Sequence, residues 1–175
     1  DDVRLDGHAI EGRLTAEDVP AGFLPQTGPV LRWRPPPQEG GVRVDHGLVE
    51  GGAVSPHYDS MVAKLVAHGR TRDEARRKLL RAVGQCVRLG LPSNQGFLAD
   101  CLADPAFADG GAVHTGCVQE RFGERLSERP QPPLRTLALA AFAALAGAMP
   151  HQEDGRIRPA VLGGQAARVG LAQGD

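Results

Sequence analysis

The sequence predicts an α+β fold: a small antiparallel β meander over residues 7–68, packed by two or three helices and followed by an extra helical segment. Three observations carry this expectation. Short runs with period-two alternation fill the first third of the chain, each bounded by turn residues. One longer stretch, Thr71–Leu89, places its apolar residues at helical spacing. The 175 residues include 23 glycines and 14 prolines, which punctuate the early part into short strands. Only 4% of residues are aromatic against 41% hydrophobic, so the core has to be built from Leu, Val and Ala.

Each element can be argued in turn. Gly7–Leu14 alternates as a strand, with Ala9 and Glu11 pointing one way and Ile10 and Leu14 the other. Thr15–Gly28 reads as a loop broken by Pro20, Gly22, Pro25 and Gly28. Val30–Arg34 is a second strand, stopped by Pro35, Pro36 and Pro37, and Gly41–His46 is a third. Asp45-His46-Gly47 and Glu50-Gly51-Gly52 supply turn chemistry. Met61–Ala67 suits a buried strand or a short helix, and its periodicity selects neither.

Thr71–Leu89 is the clearest helix. Thr71 and Glu74 form a capping box, and Ala75, Leu79, Ala82, Val83, Cys86 and Val87 share one face. Gly90 follows as the closing residue. Arg72, Arg76, Arg77, Arg81 and Arg88 cover the remaining surface, which reads as a solvated face rather than a phosphate or RNA site. A shorter helix covers Gln95–Leu102 with Ser93 or Asn94 as cap. Residues 125–133 are Pro-rich and polar, a linker. Leu134–Ala148 is an Ala/Leu helix, apolar on nearly every side, and the tail beyond it is rich in Gly and Gln with a short apolar alternation around Val161. The expected organisation is a domain over 1–124, a linker over 125–133, and the start of a following domain or a partly ordered tail over 134–175.

Composition narrows the function classes. A formal net charge of -1 argues against a dedicated nucleic-acid binder. Cys86, Cys101 and Cys117 are odd in number and lack CxxC spacing, which fits incidental thiols in a reducing cytoplasm. The most apolar stretch, Leu137–Met149, is about a dozen residues, short of the roughly 20 a membrane helix needs. The charged opening residues lack the apolar run of a signal peptide, and position 1 is Asp rather than Met, so the chain reads as a piece of something longer. GxGxxG after a strand, GxxxxGK, HExxH and GxSxG are all absent. The six histidines are scattered, with no pair at metal-ligand spacing.

Two groups of polar residues stand out. Glu11 and Arg13 lie on one strand face, two residues apart, as either an exposed ion pair or a functional pair. Asp59 precedes the apolar run from Met61, where it either caps the next element or pairs with a buried cation.

At this point a family resemblance appears. GHAIEGRLTAED (7–18), GFLPQTG (22–28), GVRVD (41–45), VSPHYDSMVAKL (54–65) and DGGAVHTG (109–116) resemble segments of the biotin carboxylase C-terminal domain. They occur in the same order and at matching spacing over about residues 4–122. Two departures stand beside the key residues: Gly12 where Ala or Cys is commoner, and His57 where Tyr is usual.

The resemblance implies a ligase. Enzymes of this type use ATP, magnesium and bicarbonate to carboxylate N1′ of biotin. It places Arg13 beside the biotin ureido oxygen, where a permanently charged planar donor suits a developing oxyanion. It implies a catalytic group of Arg13, Glu11 and Asp59, with Asp59 orienting the arginine. Val113 and His114 become cofactor-binding residues on the adenine side of the ATP site, and Arg43 matches a residue of a subunit contact. No metal ligand is expected in this chain. The ATP-grasp lysines would lie before residue 1, and neither Lys64 nor Lys78 sits in the setting of a biotinyl lysine.

The isolated chain is therefore expected to be inactive, with biotin and ATP/Mg bound only in a full-length enzyme. The continuation past residue 125 resembles the biotin-containing α subunit of a propionyl-, methylcrotonyl- or geranyl-CoA carboxylase. Implied partners are an ATP-grasp part of the same polypeptide, a biotin carrier domain and a carboxyltransferase β subunit, in a bacterial cytoplasm, without nucleic acid or membrane. The alternative is a non-catalytic scaffold or docking module that keeps this fold without the ATP-grasp half.

Overall fold

The computed structural model describes residues 6–111, 113–129, 131–148, 151–153 and 156–158. The chain divides into two units that part between Arg129 and Pro130. In the first unit the strands are β1 (His8–Thr15), β2 (Glu17–Asp18), β3 (Leu24–Pro25), β4 (Gly28–Pro29), β5 (Arg32–Arg34), β6 (Val42–His46), β7 (Ala53–Val54), β8 (Met61–Gly69) and β9 (Val87–Leu89). Its helices are α1 (Arg72–Gln85), α2 (Gln95–Ala103), α3 (Pro105–Asp109) and α4 (Cys117–Phe122).

The α+β class is as the sequence predicts. The main sheet is antiparallel with strand order β1-β8-β6, so β8 is the central strand. Neighbours in this sheet are not consecutive in the chain, which an in-order meander would require. The reason lies in the residue pattern. β8 is the longest strand, at nine residues, and only it can pair along its length with both others. Its Ala63, Leu65 and Ala67 alternate inward and are almost fully buried, which settles the strand-or-helix question for this run. Thr15–Gly28, read as a loop, in fact carries a small β2–β3 pairing and a strand, β4, that pairs with β7.

The inner sheet face packs on α1 and α2. Ile10, Gly12 and Leu14 of β1 face inward opposite Ala67, Leu65 and Ala63. From α1 come Ala75, Leu79, Ala82 and Val83, the face expected from spacing. Leu79 and Leu98 close over Gly12. Fully burying a side chain such as Leu14, Leu65 or Leu79 contributes about 1.5–3 kcal/mol each.

The ends of α1 differ from expectation. The Thr71 hydroxyl accepts the Glu74 N–H at 3.2 Å, but the Glu74 carboxylate accepts the Arg70 N–H at 3.1 Å instead of the Thr71 N–H. Only half of the capping box forms. The helix ends at Gln85 and not at Leu89: Val87–Leu89 becomes β9, pairing antiparallel with β5. Two forces decide this. The Gln95 side chain donates to the carbonyls of Val83 and Cys86, both at 2.8 Å, and so satisfies acceptors that a helix end leaves open. Gly90, at φ 114°, then lets the chain pass against the Pro29 carbonyl, where any Cβ would collide. Cys86 remains in the core, whereas Val87 is exposed.

The second unit has helix α5 (Leu134–Ala148) and a hairpin of β10 (His151–Glu153) and β11 (Arg156–Arg158). The Pro133 carbonyl accepts from the Thr136 and Leu137 N–H groups at the start of α5. Leu134, Leu137, Leu139 and Phe142 are exposed. The expectation for Val161 and the end of the tail lies outside the described residues.

Candidate functional site

The outer face of the main sheet is a charged surface. Cross-strand register puts Arg13 opposite Lys64, and Lys64 opposite Asp45. In the next row Glu11 faces Val66, which faces Arg43. Residues two apart on a strand share a face, so Glu11 and Arg13 come together as the sequence predicts, with Arg13 Nε donating to Glu11 Oε1 at 3.1 Å. On β6, Arg43 grips Asp45 through two hydrogen bonds of 3.0 and 2.7 Å. That fork holds the Asp45 carboxyl below the usual carboxylate range, against a smaller opposing desolvation, with the Lys64 charge helping.

Arg13 and Lys64 directly opposite each other are a like-charge pair, which destabilises a sheet. Glu11 and Asp45 flank them and offset the repulsion. Arg13 is two-thirds exposed, its guanidinium projecting from a strand whose backbone is fixed.

The end of β1 is tied to the start of β8 by a carboxylate. Glu17 accepts from the Thr15 hydroxyl at 2.8 Å and from the Ser60 hydroxyl at 2.6 Å, while the Ala16 N–H donates to the Ser60 carbonyl at 2.8 Å. Beside Ser60, the exposed Asp59 accepts the Met61 N–H through Oδ1. Asp59 thus caps the entry to β8, the first of its two sequence readings, while Arg13 donates to Glu11. His57, exposed in the preceding turn, donates its N–H to Ser55 Oγ at 3.1 Å.

Val113 and His114 lie elsewhere, between α3 and α4. They line a cavity of about 170 Å³ with Cys101, Phe107, Cys117 and Phe122 among its walls. His114 Nδ1 accepts the Gly116 N–H at 3.2 Å, and its Nε2 stands 3.4 Å from Glu120. Burial pushes the Cys101 thiol up to about 11, with Asp100 and Asp104 adding to the rise, so it is a neutral wall of the cavity at ordinary pH. Among the described residues no cluster of three His, Cys, Asp or Glu side chains could hold a metal ion. Among them, too, no helix is long and apolar enough to cross a membrane.

Sequence reasoning passed over two residues here. Glu17 lies inside the AED segment, where a carboxylate two residues after a strand threonine is a readable signal for the tie it makes to Thr15 and Ser60. Local pattern marks Asn94 only as a helix cap, because its side-chain partners on β1 lie 79 and 81 residues away.

Comparison with known proteins identifies the family to which these segments belong. The family described as "Biotin carboxylase C-terminal domain" matches residues 11–120. The chain is 43% identical over 129 residues to the mitochondrial methylcrotonoyl-CoA carboxylase subunit alpha of Oryza sativa subsp. japonica, covering 74% of this chain and 17% of that protein. It is 40% identical over 123 residues to a biotin carboxylase of Pseudomonas aeruginosa, covering 70% of this chain and 27% of that one.

Among solved structures, the biotin carboxylase domain of the Hydrogenobacter thermophilus 2-oxoglutarate carboxylase, in complex with MgADP and bicarbonate, superposes with a TM-score of 0.67. It is 28% identical and covers 74% of this chain and 28% of that one. The biotin carboxylase subunit of a pyruvate carboxylase also gives 0.67, at 31% identity and the same coverage. The chain spans less than a third of the length of each of these four proteins. With the match running from the Glu11–Arg13 strand to α4, the chain belongs to the biotin carboxylase C-terminal domain family of biotin-dependent carboxylases.

Proposed function

We propose that this chain is the C-terminal part of a biotin carboxylase within an acyl-CoA carboxylase, where it forms part of the biotin and bicarbonate pocket and one wall of the ATP cleft. The observation that carries this reading is Arg13: an exposed guanidinium on a rigid strand, set opposite Lys64 against the ordinary preference of a sheet and held by Glu11. A position that breaks a local rule of strand pairing is where function is expected to reside.

The donor set fits the group. Arg13 offers permanent charge and planar N–H donors to the negative charge that develops on the ureido oxygen when biotin is bound. Glu11 restrains the Arg13 side chain, and Asp59 orders the entry to β8 on the same side of the sheet end as Thr15. Val113 and His114, on their own cavity, are assigned to the adenine side of the ATP site. Phosphate and magnesium ligands are assigned to an ATP-grasp part of the same polypeptide. A biotin carrier domain and a carboxyltransferase β subunit complete the set of partners. The isolated chain is accordingly inactive in this reading.

Arg13→Gln in the full-length polypeptide tests the assignment. Biotin carboxylation should fall on the order of 10²-fold or more, the usual loss for one oxyanion donor. Bicarbonate-dependent ATP cleavage should fall less. The thermal melt should change little, since an exposed ion pair is worth at most about 1 kcal/mol. Unchanged biotin carboxylation would overturn the role of Arg13 and favour a scaffold.

A further inference from the structure

The one buried polar residue of the described core is Asn94, 7% exposed. It occupies the N-cap position of α2, yet its side chain makes no capping bond there. That task falls to the Ser93 hydroxyl, which accepts the Gln95 N–H at 3.2 Å. The Asn94 carboxamide turns instead to β1. Its Nδ2 donates to the Arg13 carbonyl at 3.0 Å and its Oδ1 accepts the Thr15 N–H at 3.0 Å. The Asn94 backbone N–H adds a third bond, to the Thr15 carbonyl at 3.3 Å.

The chemistry of this contact is specific. β1 is an outer strand of its sheet, so among the described residues the edge facing away from β8 has no strand to pair with. A carbonyl of residue i and an N–H of residue i+2 on one edge are what a neighbouring strand would engage. A carboxamide offers one donor and one acceptor side by side and so replaces one peptide of that missing strand. A carboxylate offers only acceptors, and a methyl offers neither. The clamp sits where β1 is least regular, since the register with β8 shifts between Leu14 and Thr15. Asn94 is itself held: Arg88 donates to the Leu91 carbonyl and to the Ser93 hydroxyl, the latter at 2.6 Å, fixing the turn that precedes it.

We propose that Asn94 is a positioning residue that fixes the backbone of Arg13, and with it the direction of the guanidinium. The proposal rests on the assignment of Arg13 made above. Without the clamp, an edge strand with unpaired groups on both sides of residue 14 samples other conformations. An exposed side chain then points less often where it is needed, and a misplacement of about 1 Å can cost up to about 100-fold in rate.

The test uses Asn94→Asp, Asn94→Ala, Arg13→Ala and the double variant Arg13→Ala/Asn94→Ala in the full-length polypeptide. Both half-reactions, the thermal melt and amide hydrogen exchange of the segment holding Thr15 are measured. Asn94→Asp keeps the volume and the acceptor for Thr15 but sets a second oxygen against the Arg13 carbonyl. Asn94→Ala removes both bonds without burying a charge, so the thermal melts of the two variants separate loss of the clamp from loss of the fold. The expected result is a loss of biotin carboxylation of about 10-fold or more in Asn94→Asp, with bicarbonate-dependent ATP cleavage reduced less and faster exchange at Thr15. Adding Asn94→Ala to Arg13→Ala should cost nothing further, because the one acts through the other. Native carboxylation in Asn94→Asp would overturn the proposal. So would additive losses in the double variant, or both half-reactions falling in step with the folded fraction. An Arg13→Ala variant with native carboxylation would instead remove the reading on which the proposal stands.

Discussion

Two glycines with opposite needs show how much a single residue decides. Gly12 lies mid-strand facing the helices, and a Cβ built there would meet Leu79 and Leu98 at 3.7 to 4.0 Å, ordinary contact distance. Its backbone needs nothing that only glycine supplies. Gly12→Ala should therefore stabilise the chain by about 0.4–1 kcal/mol, chiefly by restricting the unfolded state. Gly69, where β8 turns into α1, would put a Cβ 2.6 Å from the Ala75 nitrogen. The close approach of helix to strand leaves no room, so Gly69→Ala should cost about 1–3 kcal/mol by overpacking. Chemical denaturation of the two variants checks the signs. A stabilising Gly69→Ala would mean that the β8–α1 junction relaxes freely.

At the scale of elements, the junction of α1 and β9 carries a pH dependence. Cys86 sits there as the last core residue of the segment, 6% exposed, and burial pushes its thiol up to about 11, opposed only by the nearby Arg88 charge. In the unfolded chain the thiol titrates near its ordinary value. The folded form therefore holds a proton that the unfolded form releases between about pH 9 and 11. The resulting stability is complete below that window and is lost as pH rises through it. The prediction is that the denaturation midpoint falls more steeply from pH 8 to pH 10 in the native chain than in Cys86→Ala. Equal slopes would show that the thiol is already solvated in the folded state.

At the scale of the whole molecule, the two units are joined through a Pro-rich stretch, with Pro130, Pro132 and Pro133 close together. We propose that 1–124 act as the family domain, 125–133 as a link, and 134–175 as the start of a following linking domain or a partly ordered tail. Exposed connecting segments with few tertiary contacts are cut first by proteases. Brief trypsin treatment should cleave after Arg125 before any arginine of α1, the Arg129–Pro130 bond being resistant to trypsin, with the product sizes read by mass spectrometry. A first cut within α1 would place the weak point inside the packed unit instead.

Some of this was legible residue by residue. The inward face of α1 followed from its 3.6-residue period, and the shared face of Glu11 and Arg13 from the two-residue period of a strand. Both depend only on neighbours within a few positions, so the sequence by itself determines them. It also determined the family, because five segments recur in order. What only the tertiary structure decided was the central place of β8, the conversion of Val87–Leu89 into β9, and the clamp of Asn94 on Arg13 and Thr15. The physical reason is shared. A backbone group takes whichever partner satisfies it, and here those partners lie far along the chain, 79 and 81 residues away for the two side-chain bonds of Asn94. Local propensity ends where such distant hydrogen bonds begin.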